Sequence, residues 1–221
     1  MTNNIKFDKI KVNKDINAKK PSHLNKTKPN NYKKRKQNNH NKTNKGKIKM
    51  CQKLNELSGM TSAKVLERYC ADQSSYAINM GTLMKNIGVS VFIYDFTEFN
   101  RQNDQSIYGA IVLRGDDLAV FVSEKCTQAE QRFILAHELA HCCLHGASLK
   151  SSKIECASNF DSSTPHEREA DEFADQLLLP EKVFLGVCSK FKNQIDVNLL
   201  SEIFCVPTAC VRRRMKALGI I

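Results

Sequence analysis

No run of apolar residues in this 221-residue chain approaches the ~20 that a membrane-spanning helix requires. The first residues carry no apolar core of the kind found in secretory signals. The nine cysteines are scattered singly apart from Cys142-Cys143, and none falls in a C-x-x-C pair. That pattern argues against a disulfide framework. These absences predict a cytoplasmic protein with no membrane partner, whose cysteines act mostly as small buried hydrophobes. The alternative for Cys142 and Cys143 is a role as metal ligands or oxidation sensors. Histidine is scarce too: the chain has six, and three of them lie between Thr127 and His145.

The formal charge of +11 is unevenly distributed. Residues 1–50 hold 16 of the 34 Lys and Arg but only 2 of the 23 Asp and Glu, so residues 51–221 keep 18 basic and 21 acidic residues and are slightly acidic. Residues 1–49 are rich in Asn and Lys and show almost no apolar periodicity. Such a segment buries too little surface to offset its ordering entropy, which predicts a disordered basic tail. Its functional reading is an arm that meets nucleic acid through phosphates. The plainer reading is a solvated extension ahead of Met50.

The scarce histidines organise the rest. In TQAEQRFILAHELAHCCLH, His137, Glu138 and His141 form H-E-x-x-H. Residues four apart on a helix share a face, so the two imidazoles can converge on one ion. Glu138 stands beside them, placed to take a proton from an activated water. Thr127 and Glu130 form a capping box that starts the helix. Zinc so held needs a third protein ligand. His145 fails as that ligand: it lies ~12 Å beyond His137 along the axis and is rotated ~80° from it. The pattern H-E-x-x-H-x-x-G-x-x-H is also absent, since Leu144 and Ser148 stand where its glycine and last histidine belong.

The third ligand is sought in TPHEREADEFADQLL, opened by Thr164 with Glu167 as a second capping box and Pro165 at the first helical position. Ala170, Phe173, Ala174, Leu177 and Leu178 mark its buried face. Glu169 borders that stripe and is the expected ligand, with a solvated carboxylate as the alternative, while Glu167 and Glu172 are expected to point outward. Asp171 and Asp175 are expected as outer partners of the ligating histidines.

RFILAHELAHCCLHG followed by EREADEFADQLLLP resembles the ImmA/IrrE-type zinc metallopeptidases, and the likeness extends from about Ile78 to the C-terminus. The resemblance implies Zn2+ held by His137, His141 and Glu169, with Glu138 catalytic. It further implies a regulatory endopeptidase that cleaves a helix-turn-helix repressor and so controls mobile-element or stress genes. The Cys142-Cys143 pair departs from the usual bulkier residues at those positions.

The remaining segments fit an α+β zincin-like domain over residues 50–221. Short helices are expected near Val65–Cys70 and after Asn79, with Gly88 ending the second. Val89–Phe96, Ile107–Leu113 and Leu118–Ser123 read as an antiparallel three-stranded sheet, the last two strands joined as a hairpin. If Leu118–Ser123 kept a free edge, an extended peptide substrate could add to it. Gly146–Ser163 reads as a loop, either lid or tether. Residues 195–221 read as helix, turn, helix. There Arg212, Arg213, Arg214 and Lys216 offer nucleic-acid contact, which defines the rival function: a DNA-binding or repressor-binding regulator with a structural or inactive zinc site.

Overall fold

The computed structural model describes residues 51–70, 75–103, 106–114, 116–146, 154–158, 164–191 and 195–221. The expected basic tail lies outside the described residues, as do most of the expected lid or tether and Gly115 of the hairpin turn. Met50–Ile221 forms one compact unit.

At its centre lies α5 (Gln128–His145), where every residue from Phe133 to Cys143 is buried. A helix covered on all sides needs walls on all sides. The sheet supplies one. Helices α1 (Gln52–Leu57), α3 (Met80–Ile87) and α6 (Pro165–Leu178) supply the others, while α2 (Ser62–Tyr69) lies against α6. The helix starts where expected: the Glu130 amide donates to Thr127 Oγ1 at 3.3 Å, and the Thr127 amide donates to Glu130 Oε2 at 2.7 Å. At its far end the Cys143 carbonyl accepts from the Gly59 amide at 2.8 Å. Asn79 caps α3 through the Thr82 amide at 2.9 Å, and Gly88 ends it at φ 84°.

The sheet differs from expectation in three ways. It has four strands among the described residues, in the order β1 (Ser90–Tyr94), β3 (Asp117–Ser123), β2 (Ile107–Arg114), β4 (Ile154–Ser158). It is mixed: β1 runs parallel to β3, with Val91 opposite Val120, while β2 pairs antiparallel with both β3 and β4. The fourth strand comes from the stretch read as a loop, and α4 (Thr97–Asn103) occupies the polar link after β1. The physical reason is edge pairing. The β2–β3 hairpin leaves two rows of unsatisfied backbone groups, and β1 and β4 each cover one. The edge of Leu118–Ser123 is therefore taken, which removes it as a dock for an added strand.

After α6 come α7 (Glu181–Cys188), then α8 (Val197–Phe204) and α9 (Thr208–Ala217). Cys205 makes the turn between the last two at φ 50°, a left-handed conformation that glycine adopts more readily. Arg132 of α5 holds this turn, donating from Nε to the Cys205 carbonyl at 2.8 Å. Leu200, Phe204, Val206, Val211 and Met215 are buried as expected, whereas Leu199 is exposed and Ile203 only partly covered.

Candidate metal centre

His137 and His141 point their Nε2 atoms at each other, 3.0 Å apart, from successive turns of α5. Glu167 at the start of α6 closes the triangle: its Oε2 is 3.0 Å from His137 Nε2 and its Oε1 is 3.6 Å from His141 Nε2. One ligand atom from each of the three lies within 4.8 Å of the others. Tetrahedral zinc with bonds of ~2.0–2.1 Å spaces its ligands ~3.3 Å apart, which these edges match.

Glu169 does not enter this group. Its side chain is 58% exposed and its Oε2 lies 3.0 Å from His145 Nε2. Helix phase explains the correction. At ~100° per residue, Glu167 lies ~20° from Ala174 around the axis, whereas Glu169 lies ~100° from Ala170 on the far side of the stripe. The stripe Ala170, Ala174, Leu178 extends one turn back to Glu167, a signal present in the sequence. Reading Glu167 as a capping residue hid it. The Glu167 amide does donate to Thr164 Oγ1 at 3.2 Å, but its carboxylate turns to the imidazoles rather than back to the cap.

Tautomers follow from the outer contacts. His137 Nδ1 lies 2.9 Å from Asp171 Oδ1 and donates to it, leaving Nε2 as a lone pair facing the ligand point. Two imidazole lone pairs and a carboxylate aimed at one point repel each other unless a cation lies between them. In the metal-free chain a proton takes that part. Burial works against a charged His137, but Asp171 and then Glu167 outweigh it and raise its pKa to about 9. His137, followed by His141, holds the Glu167 carboxyl far below the usual range. The residues present thus fit a divalent cation.

Glu138 is 1% exposed and faces the sheet. A Cβ at Gly109 of β2 would collide with Ile134 and stand 3.0 Å from Glu138 Oε1. The missing side chain is what lets α5 lie this close to β2 and seats the Glu138 carboxylate. A glycine inside a strand is the sequence signal of such close approach.

Asp171 and Asp175 are both buried, and Asp175 serves the structure differently from its neighbour. Arg213 of α9 donates from Nε and Nη2 to Asp175 at 2.6 and 2.9 Å, and its Nη1 reaches to 3.9 Å from Asp171. Burial pushes Asp175 up to about 6 against the pull of Arg213. Arg213 is held charged because the Asp175 carboxylate overrides its own burial. The guanidinium also lies 5.2 Å from the Phe133 ring centre, a cation–π contact. Arg214 is 8% exposed and donates to the Leu179 carbonyl at 3.0 Å. Two of the four cations expected to offer phosphate contact are therefore engaged within the fold, Arg214 buried and Arg213 half-buried, leaving Arg212 and Lys216 exposed.

Cys142 and Cys143 are buried at 1% and neither enters the ligand group. Burial pushes the Cys143 thiol up to about 12, far from a reactive thiolate. No helix among the described residues is long and apolar enough to cross a membrane.

The peptidase M78 family model, described as the IrrE N-terminal-like domain, matches residues 84–216. Among curated proteins none matches. A solved Mycobacterium tuberculosis transcriptional regulator is similar at 18% identity and a TM-score of 0.47, over 70% of this chain and 44% of that one. The chain thus spans less than half the length of that structure.

Proposed function

The chain belongs to the IrrE N-terminal-like peptidase family, and from that premise we propose that it is a zinc-dependent endopeptidase with a regulatory substrate. The observation that carries the reading is the convergence of His137, His141 and Glu167, with Glu138 adjacent on the same helix. Glu167 takes the place first expected of Glu169. Zinc, when bound, supplies Lewis acidity that lowers the pKa of a water towards ~7 and polarises the scissile carbonyl. Glu138 accepts the proton of the attacking water and passes it to the leaving amine. His137, oriented by Asp171, and His141 hold the ligand point in place. Asp171 thereby acts on the chemistry through His137 rather than directly.

The proposed substrate is a helix-turn-helix repressor cut at a single site, as the resemblance of the paired motifs implies. The test incubates candidate repressors with zinc-loaded wild-type or Glu138→Gln protein and reads the products by mass spectrometry. One cut made by wild type and lost by at least ~10²-fold in Glu138→Gln is expected, with zinc content unchanged. Equal cutting by both proteins would remove Glu138 from the mechanism. A repressor bound but left intact by wild type would favour the binding-only regulator.

A further inference from the structure

Behind His141 the structure holds a second line of polar contacts that leads outward. His141 Nδ1 lies 3.0 Å from His145 Nδ1, and His145 Nε2 lies 3.0 Å from Glu169 Oε2. Only one pattern of protons satisfies both of these contacts while leaving His141 Nε2 as a lone pair. His141 carries its proton on Nδ1 and donates it to His145. His145 must then accept at Nδ1 and carry its own proton on Nε2, which it donates to Glu169. Reversing any one member forces two hydrogens or two lone pairs to face each other at 3.0 Å. The imidazole of His145 also packs against that of His166, their centres 4.4 Å apart and tilted by 30°.

We infer that Glu169 and His145 form a positioning relay that fixes the tautomer and ring orientation of His141 for metal binding. The inference rests on the zinc reading above. Glu169 becomes a determinant of the site without touching the ion. It acts across two hydrogen bonds, from a side chain that is 58% exposed to a histidine that is buried. The four histidines of the described chain then have assigned parts: two as ligands, one as relay, and one as the surface against which the relay packs.

The test measures zinc affinity by chelator competition for wild type, His145→Phe, Glu169→Ala and the double variant, with metal-free melting to show that each is folded. His145→Phe keeps an aromatic ring against His166 and removes the acceptor, so affinity is expected to fall ~10–100-fold. Glu169→Ala, which leaves the acceptor but frees its tautomer, is expected to cost less, about threefold to tenfold. In the His145→Phe background, Glu169→Ala is expected to change nothing further, because the path is already cut. His145→Gln, whose amide oxygen can accept from His141, should recover most of the loss and be indifferent to Glu169. Nitrogen-15 spectra of the zinc-loaded histidines should place the His145 proton on Nε2 in wild type and spread it over both nitrogens in Glu169→Ala. That signature does not depend on stability.

Equal effects of Glu169→Ala in both backgrounds would mean that its charge acts directly on the ion, and would overturn the relay. So would wild-type affinity in folded His145→Phe, or a His145 proton found on Nδ1. Wild-type protein that takes up no zinc would instead remove the zinc reading itself, and the relay with it, before any variant is compared.

Discussion

His137 and His141 sit one turn apart and aim the same atom at the same point, yet what stands behind each is different. Behind His137 lies a buried network: Asp171, then Arg213 reaching in from the last helix, with Asp175 as its main partner. Behind His141 lies a chain that runs through His145, whose side chain is 8% exposed, to the exposed carboxylate of Glu169. A buried network contributes to holding the fold together as well as to orienting its histidine, because breaking it leaves charges with no access to water. A path that ends at an exposed carboxylate orients its histidine while removal of that carboxylate costs the fold little. The two supports should therefore separate stability from metal affinity.

The largest effect is expected at Arg213. Replacing it with Met leaves Asp175, with its side chain 6% exposed, without the guanidinium that balances it. Breaking a buried pair costs about 3–5 kcal/mol, and the partial exposure of Arg213 lowers the expectation here to ~2–4 kcal/mol. Urea unfolding of the metal-free protein would measure it, with Arg212→Met, on the exposed face of the same helix, expected within ~0.5 kcal/mol of wild type. Equal midpoints for the two variants would show that the C-terminal helix is not anchored through this pair.

Asp171→Asn comes next. The amide oxygen can still accept from His137 Nδ1, but the charge that steadies the imidazole is gone. Zinc affinity is expected to fall about tenfold, read by chelator competition, with a smaller change in unfolding midpoint than Arg213→Met produces. A stability loss equal to that of Arg213→Met, with affinity intact, would make Asp171 part of the anchor rather than part of the site.

The two sides also differ in how far the sequence announced them. The zinc helix is written locally: a capping box, two histidines at i and i+4, and a glutamate between them all lie within 19 residues. The carboxylate ligand was legible in principle, because Glu167 lies on the same stripe as Ala170, Asp171 and Ala174, but its position three residues after Thr164 also suits a cap. One residue satisfied two local rules, and only the position of α5 decides which one its carboxylate serves. The Arg213 network was not legible, since 38 residues separate it from Asp175 and nothing local in VRRRMK tells an internal arginine from a surface one. The sheet followed the same divide. The β2–β3 hairpin is a local event, whereas the parallel partner of β1 and the β4 edge depend on which strand edges folding leaves open.

Proton uptake offers a third comparison, between the empty and the loaded site. With its pKa raised from 6.5 to about 9, His137 in the metal-free fold contributes stability that is fully present below about 6.5 and is lost as pH rises through about 9. Zinc must displace that proton, so binding at pH 7 should release about one proton, and apparent affinity should climb by up to about tenfold per pH unit before levelling above 9. Calorimetry in two buffers of different ionisation enthalpy would count the proton. Metal-free melting temperatures should decline between pH 7 and 9.5 while zinc-loaded ones hold steady. Zinc uptake with no proton released would mean that His137 is neutral before the ion arrives.

Salt should produce the smallest effect and the finest division between the two supports. Raising ionic strength from ~0.1 to ~1 M shortens the screening length from ~10 to ~3 Å. That weakens an interaction between solvent-facing charges and barely reaches one enclosed by protein. In a salt whose anion does not bind zinc, affinity of the wild type should fall by no more than about threefold. Part of that loss belongs to the exposed contact between Glu169 and His145, which screening weakens, so Glu169→Ala should show the flatter slope. Asp171→Asn, altered only in the buried support, should keep the wild-type slope from its lower starting point. Parallel slopes in wild type and Glu169→Ala would mean that the exposed carboxylate reaches the site through hydrogen-bond geometry alone, with its charge screened by water at any salt. That outcome would narrow its part to selecting the tautomer of His145.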